Sequence, residues 1–486
     1  MGFSRRRFVE CTCKSVAAMS MASALRRFGM MNAYAQGVSD YKALVCVFMF
    51  GGNDGNNTVV PVDSNGGFAA YSNVRPTSGI GLAMPGGGAN SLLPITLANQ
   101  QLTYSSGLFG LHPAMPEIQS LFNSGKLAIL ANVGALVQPL TRTQYSNAAF
   151  AKPSNLFSHS DQQNEWQTSN RVSTGAIGWG GKIADAMQFA NAGAQYPMVV
   201  SVAGASIYTN GQQTTPVNVL ATPGQPQTGL SCSSGSSEAN NANCVTRSNG
   251  VQSLLTMDSG VKLVQDASAT TGNAFTYTNA LNNARVGAAN ILTTFPGNGI
   301  GPQLQQVAQI IQVRQALGVK RQIFFVALGG FDTHTNQQTA AGGGAQPSLL
   351  QQLSQGLNAF YSALGESAMG TEAGNAQGLQ NNVTTFTLSD FSRALQPNTG
   401  GGTDHAWGNH QFIMGGAVHG GDMYGQYPAL TMNAGVDAGN NGRWIPTTSV
   451  DQYGATLAAW FGVDNNTLPA IFPNLSNFAS KNLGFV

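Results

Sequence analysis

Ala43 to Phe50 reads ALVCVFMF, apolar at every position, and stops at Gly51-Gly52-Asn53-Asp54-Gly55. Gln322 to Leu328 (QIFFVAL) ends at Gly329-Gly330-Phe331-Asp332-Thr333-His334, and Val383 to Leu388 (VTTFTL) ends at Ser389-Asp390. Short β-rich runs without polar alternation read as strands buried on both faces, the signature of a parallel sheet covered by helices. Leu127–Val133 and Met198–Val202 add further strands of this kind. Helical spacing appears between them: Met115, Ile118 and Leu121 in a helix from Leu111 to about Gly125, then Lys182–Asn191. Leu304, Val307, Ile310, Ile311 and Val313 mark a helix within 280–318, and Leu349–Leu364 and Asp451–Phe461 follow. This alternation predicts an α/β fold. In open α/β sheets ligands bind at the carboxyl ends of the strands, so chemistry is expected in the loops that end the apolar runs.

At 486 residues, 42% of them hydrophobic, the chain can hold one large α/β domain or two to three small ones with a sizeable core. Only 9% of residues are charged, against roughly 25% in ordinary soluble domains. The surface is therefore dressed with Asn, Gln, Ser, Thr and Gly. Residues 62–106 read as a long surface excursion, and 205–250 as a polar insertion. Net charge is +2, with part of the basic excess in the first 27 residues. Near-neutrality of the remainder argues against nucleic acid or an anionic membrane as the main partner.

The N-terminus reads as an address. Ser4-Arg5-Arg6-Arg7-Phe8 has the form of a twin-arginine export signal, a weakly apolar stretch runs from Ser15 to Leu25, and Ala33-Tyr34-Ala35 fits cleavage after residue 35. A basic amphipathic helix is the alternative. No later stretch has the ~18 unbroken apolar residues of a membrane span. The expectation is a periplasmic or secreted protein that meets the twin-arginine machinery, with residues 36–486 as a single domain. Cys232 and Cys244 bracket a polar loop and are placed for a disulfide outside the cytoplasm; a zinc site there lacks a nearby histidine. Cys46, inside an apolar run, reads as a small buried hydrophobe.

The chain has six histidines, and three of them (His405, His410 and His419) fall within or just after Gly400-Gly401-Gly402-Thr403-Asp404-His405. A carboxylate next to an imidazole on a glycine-rich loop presents two ligands to one ion. Asp54, Asp332, His334, Asp390, Asp404 and His405 all follow an apolar strand or its extension. They form the expected ligand set for a divalent metal, with Zn, Mn, Mg and Ca all open. The plainer alternatives stand beside this: a lone Asp after a strand is commonly a turn former or helix cap, and His159 beside Asp161 a surface group. His112 before Pro113 ends a loop, and His419 sits in a turn. Arg142 and Arg393 suit either an anionic substrate or structural ion pairs.

The stretches FMFGGNDGNNTVVP (48–61), GLHPAM (110–115), SHSDQQNEWQT (158–168), LGGFDTHTNQQ (328–338), TLSDFSR (387–393) and GGTDHAWGNHQFIMGGAVHGG (401–421) resemble the domain-of-unknown-function 1501 family. Those exported bacterial proteins look distantly like the alkaline phosphatase and sulfatase superfamily. The resemblance implies a three-layer α/β/α sandwich with a largely parallel central sheet, long polar insertions, and metals at the strand ends. Asp54 would match the superfamily's N-terminal metal aspartate, Asp332 its middle aspartate, and Asp404-His405 its late pair, with Ser389-Asp390 competing. Asn336 stands where the superfamily often has a His, and His334 comes two residues earlier, an arrangement nearer the calcium-type sulfatases. The expected nucleophile at a helix start is not matched; Thr58, Ser106 and His112 are the candidates. Arg142, His159, Arg393 and His410 are candidate substrate contacts. The function implied is an exported metal-dependent hydrolase of phosphate or sulfate esters, acting on a small ester or an extracellular polymer. The alternative is a catalytically degenerate scaffold or carbohydrate-binding protein that keeps the fold.

Overall fold

The computed structural model describes residues 38–63, 67–88, 90–98, 107–171, 175–225, 242–257, 260–372 and 378–486. The export signal expected over residues 1–35, the candidate Ser106 and the Cys232–Cys244 pairing lie outside the described residues. Tyr41–Val486 forms one compact unit.

Among the described residues fourteen strands run in chain order: β1 Lys42–Met49, β2 Val59–Pro61, β3 Leu93–Thr96, β4 Leu108–Leu111, β5 Leu127–Gly134, β6 Val199–Ser201, β7 Val217–Asn218, β8 Arg321–Leu328, β9 Val383–Ser389, β10 Arg393–Pro397, β11 Thr403–His405, β12 Asn409–Met414, β13 Met423–Gly425 and β14 Thr448–Ser449. The main sheet has the order β13-β5-β12-β9-β1-β8-β6-β7, with β14 added to β5. β1 lies between β8 and β9 and is parallel to both, which brings the three apolar runs side by side with their carboxyl ends together. β12 is the exception, antiparallel to both β5 and β9.

Unbroken apolarity has the expected cause. Ala43, Val45, Val47 and Met49 pack on one face with Leu304, Leu350 and Leu357, from the helices Gly301–Gln312 and Ala345–Leu364. Leu44, Cys46 and Phe48 pack on the other with Trp179, Ile183, Tyr453 and Leu457, from the helices Trp179–Met187 and Val450–Phe461. Side chains alternate across a strand, so a strand covered on both sides leaves no position facing solvent. Cys46 is buried and free.

Two sequence expectations need correction. The stretch 62–106 is not wholly superficial where it is described. β2, β4 and β3 form a small antiparallel sheet, and Ile80, Leu82, Leu92, Ile95 and Leu97 are buried as isolated anchors that carry no period. The helix expected from Leu111 begins at Pro116, because Leu111 closes β4 and proline favours the first helical turn. The segment around His159 is a third departure. It is a ten-residue helix, His159–Thr168.

Candidate metal centre

The strand ends deliver the site. β8 runs into Gly329-Gly330 and presents Asp332 and His334; β9 ends at Ser389 and is followed directly by Asp390. β10 and β11 form a two-stranded ribbon in which Arg393 and His405 are register partners, with Gly400–Gly402 between the two strands. The helix His159–Thr168 brings its first residue against this group.

Two glycines set the approach. Gly51 has φ +109°, and a Cβ there would stand 2.3 Å from the Asp332 backbone nitrogen. A Cβ on Gly402 would meet the Thr333 carbonyl at 2.2 Å. Both loops therefore close on the Asp332 segment only because no side chain intervenes.

Three imidazoles converge on one oxygen. Asp332 Oδ1 lies 3.2 Å from His334 Nε2, 3.4 Å from His159 Nε2 and 3.5 Å from His405 Nε2. The outward nitrogens are turned toward the protein. His159 Nδ1 donates to Asp390 Oδ2 at 2.7 Å, and His405 Nδ1 donates to the Phe157 carbonyl at 2.8 Å. His334 Nδ1 stands 3.4 Å from Asp404 Oδ1, which also accepts from Asn398. An outward Nδ1–H leaves the Nε2 lone pair pointing inward, which is how a ligating histidine is held. His159 Nε2 is enclosed and has no hydrogen-bond partner. His334 and His405 approach at 2.8 Å between their Nε2 atoms, and the Phe391 ring packs against His159 and His405, both at 4.7 Å.

Charge follows the same geometry. The Asp390 hydrogen bond raises the His159 pKa against the opposing effect of burial. Burial lowers the His405 pKa. Burial would raise Asp332, but hydrogen bonding and charge from Arg393, with His159 and His334, hold its carboxyl below the ordinary value. His159, Asp332 and His405 form a group that can hold a metal ion, each offering one ligand atom within 4.8 Å of the others. Two imidazole nitrogens and one carboxylate oxygen are its donors, and His334 Nε2 stands 3.2 Å from the same carboxylate oxygen.

The structure thus brings Asp332, His334 and His405 together, with Asp404 at the edge, half exposed. It adds His159, which sequence reasoning placed among the substrate contacts. Asp390 sits one step back: wholly buried, it accepts from His159, Gln163 and the Gly51 backbone. Asp54 is elsewhere. It caps the helix Gly55–Thr58, is ion-paired with Arg75 at 2.6 Å and accepts from Gln337, all out of contact with solvent.

Other candidates are corrected in the same way. Arg393 is no substrate contact: fully buried, it donates to Asp332 and to the carbonyls of Gly51, Gly52, Phe331 and Thr403, tying four segments together. His410 is buried, accepts the Asn132 backbone N–H and stacks on Tyr427 at 4.7 Å; burial lowers its pKa to about 3. His112 has both ring nitrogens engaged, by Gln338 and the Ala114 N–H, and burial lowers it to about 4. Thr58 is buried with its hydroxyl on the Asp54 carbonyl. None of these is poised as a nucleophile. Arg142 is half buried, on Asn433 and Asn440.

A mixed α/β fold with an Asp/His cluster at the carboxyl ends of its central strands is the class of protein this defines. The chain belongs to the family described as Protein of unknown function (DUF1501), whose model matches residues 41–468. No curated protein matches it. Among solved structures, one titled "Crystal structure of Ps i-CgsB" is 10% identical with a TM-score of 0.29, covering 90% of this chain and 77% of that one. So distant a likeness says nothing about activity. Among the described residues no helix is long and apolar enough to cross a membrane.

Proposed function

We propose that the protein is a metal-dependent hydrolase of phosphate or sulfate esters, built as an α/β/α sandwich of the alkaline phosphatase and sulfatase kind and exported by the twin-arginine route. One observation carries this reading: three Nε2 atoms converge on Asp332 Oδ1, with an outward Nδ1 bonded at His159 and His405 and facing Asp404 at His334. His159, Asp332, His334 and His405 would hold the ion, with Asp390 fixing His159 and Asp404 facing His334. A divalent cation so held supplies Lewis acidity toward a phosphoryl or sulfuryl oxygen. His159 and His405, braced by Phe391, keep their nitrogens fixed, which limits reorganisation as charge develops. Arg393 keeps Asp332 ionised.

Elemental analysis of protein purified without metal-affinity columns tests the centre, and turnover of aryl phosphate and aryl sulfate tests the chemistry. Stoichiometric transition metal with chelator-sensitive turnover is the expected result. Absence of bound metal after loading would end the proposal. The second reading, a non-catalytic scaffold that keeps the fold, is favoured by Arg393, which already neutralises Asp332. Metal retention without turnover of either ester would support it.

A further inference from the structure

Beside the His/Asp cluster the loop Asn433–Arg443 turns around Asp437, whose carboxylate accepts the backbone N–H groups of Asn433, Gly439, Gly442 and Arg443. That carboxylate is taken up by its own loop. Arg443 stacks over Phe157, its guanidinium carbon 4.6 Å from the ring centroid. The Phe157 carbonyl is the acceptor for His405, so one residue, Phe157, stands between Arg443 and the centre. Arg142 reaches the same loop through Asn433 and Asn440. Lys152 lies over Tyr145, 5.3 Å from its ring, and the charge of Arg443 also acts on Tyr145.

Two guanidinium nitrogens here, Arg443 Nε and Arg142 Nη1, are enclosed and have no hydrogen-bond partner. Among the described residues no carboxylate pairs with Arg142, Lys152 or Arg443. A chain with only 9% charged residues has therefore placed Arg443 and Arg142 on one loop, both with unfilled donors, and Phe157 links that loop to His405. Enclosed N–H groups on a charged side chain are costly without an acceptor, and planar guanidinium groups match sulfate and phosphate oxygens.

We propose that Arg443 and Arg142 form an anion-binding subsite next to the centre, and that the substrate is a polyanionic chain carrying repeated sulfate or phosphate groups. One such group sits at the cluster while a neighbouring group sits on the arginines. This rests on the ester-hydrolase reading for what happens at the cluster, but the subsite itself does not need the metal.

The test uses dextran sulfate, linear polyphosphate and neutral dextran of matched length. Each is titrated against chelator-treated and zinc-loaded protein, with binding read by fluorescence anisotropy. One or both polyanions should bind, more weakly as salt rises, while neutral dextran should not. Arg443→Gln and Arg142→Gln should each weaken binding by about tenfold, with metal content unchanged and partial recovery in Arg443→Lys. Which polyanion binds tells sulfate from phosphate. Failure of both polyanions to bind, equal binding of neutral dextran, or unaltered affinity in both glutamine variants would overturn the subsite. Should Arg443→Gln not fold, Arg142→Gln, at a half-buried edge position, decides. Arginine-dependent binding in a protein that never retains metal would sink the hydrolase reading and leave the subsite standing.

Discussion

Asp390 and Asp54 are both buried aspartates just beyond apolar strands, yet their partners give them different work. Asp390 touches His159, so its charge acts on the centre through one imidazole. Asp390→Asn should lower metal affinity by about 10–100-fold, the usual effect of losing such a partner, as read by competition with a chromogenic chelator. Asp332→Asn should abolish retention. An Asp390→Asn protein with unaltered affinity would show that His159 is not a ligand. Asp54 touches Arg75 and Gln337 instead. Asp54→Asn should leave metal content unchanged and destabilise the fold by about 3–5 kcal/mol, because Arg75 would stay buried without its counter-ion. Urea unfolding monitored by tryptophan fluorescence checks it, and loss of metal without loss of stability would reverse these assignments.

At the level of elements, the strands were legible and the helix carrying His159 was not. β1, β8 and β9 are buried on both faces; apolarity marks β1 and most of β8, and the β-branched threonines mark β9. The helix His159–Thr168 buries Gln162, Asn164, Glu165, Gln167 and Thr168 along with Trp166, leaving no apolar period to detect. Its only local signal was Ser158 just before the first turn. Asp54 was misassigned for a related reason: an Asp after a strand looks the same in sequence whether it meets an ion or an arginine 21 residues later. Convergence of loops depends instead on glycines. Gly51→Ala should force apart the β1 and β8 ends, since the new Cβ would stand 2.3 Å from the Asp332 nitrogen in a left-handed backbone. Reduced metal content together with a lower melting temperature is expected. Unchanged values for both would mean the two loops are not tightly coupled.

Across the whole molecule, one buried acid links the helix behind the site to the stability of the fold. Glu165 is fully buried in the helix that begins with His159. Burial, reinforced by Asp161, raises its pKa to about 9 from an ordinary 4.5, with Ser154 pulling the other way. The folded state thus favours the protonated carboxyl. Its contribution is fully present below about pH 4.5 and is lost progressively as pH rises toward 9, where the folded protein must also ionise. Glu165→Gln keeps the shape and removes the proton. The variant and the parent should melt at similar temperatures near pH 5, the variant should gain relative stability up to about pH 9, and the difference should then level off. Differential scanning fluorimetry across that range measures it. A difference that does not change with pH would mean that Glu165 is already ionised in the folded protein, with a counter-charge beside it.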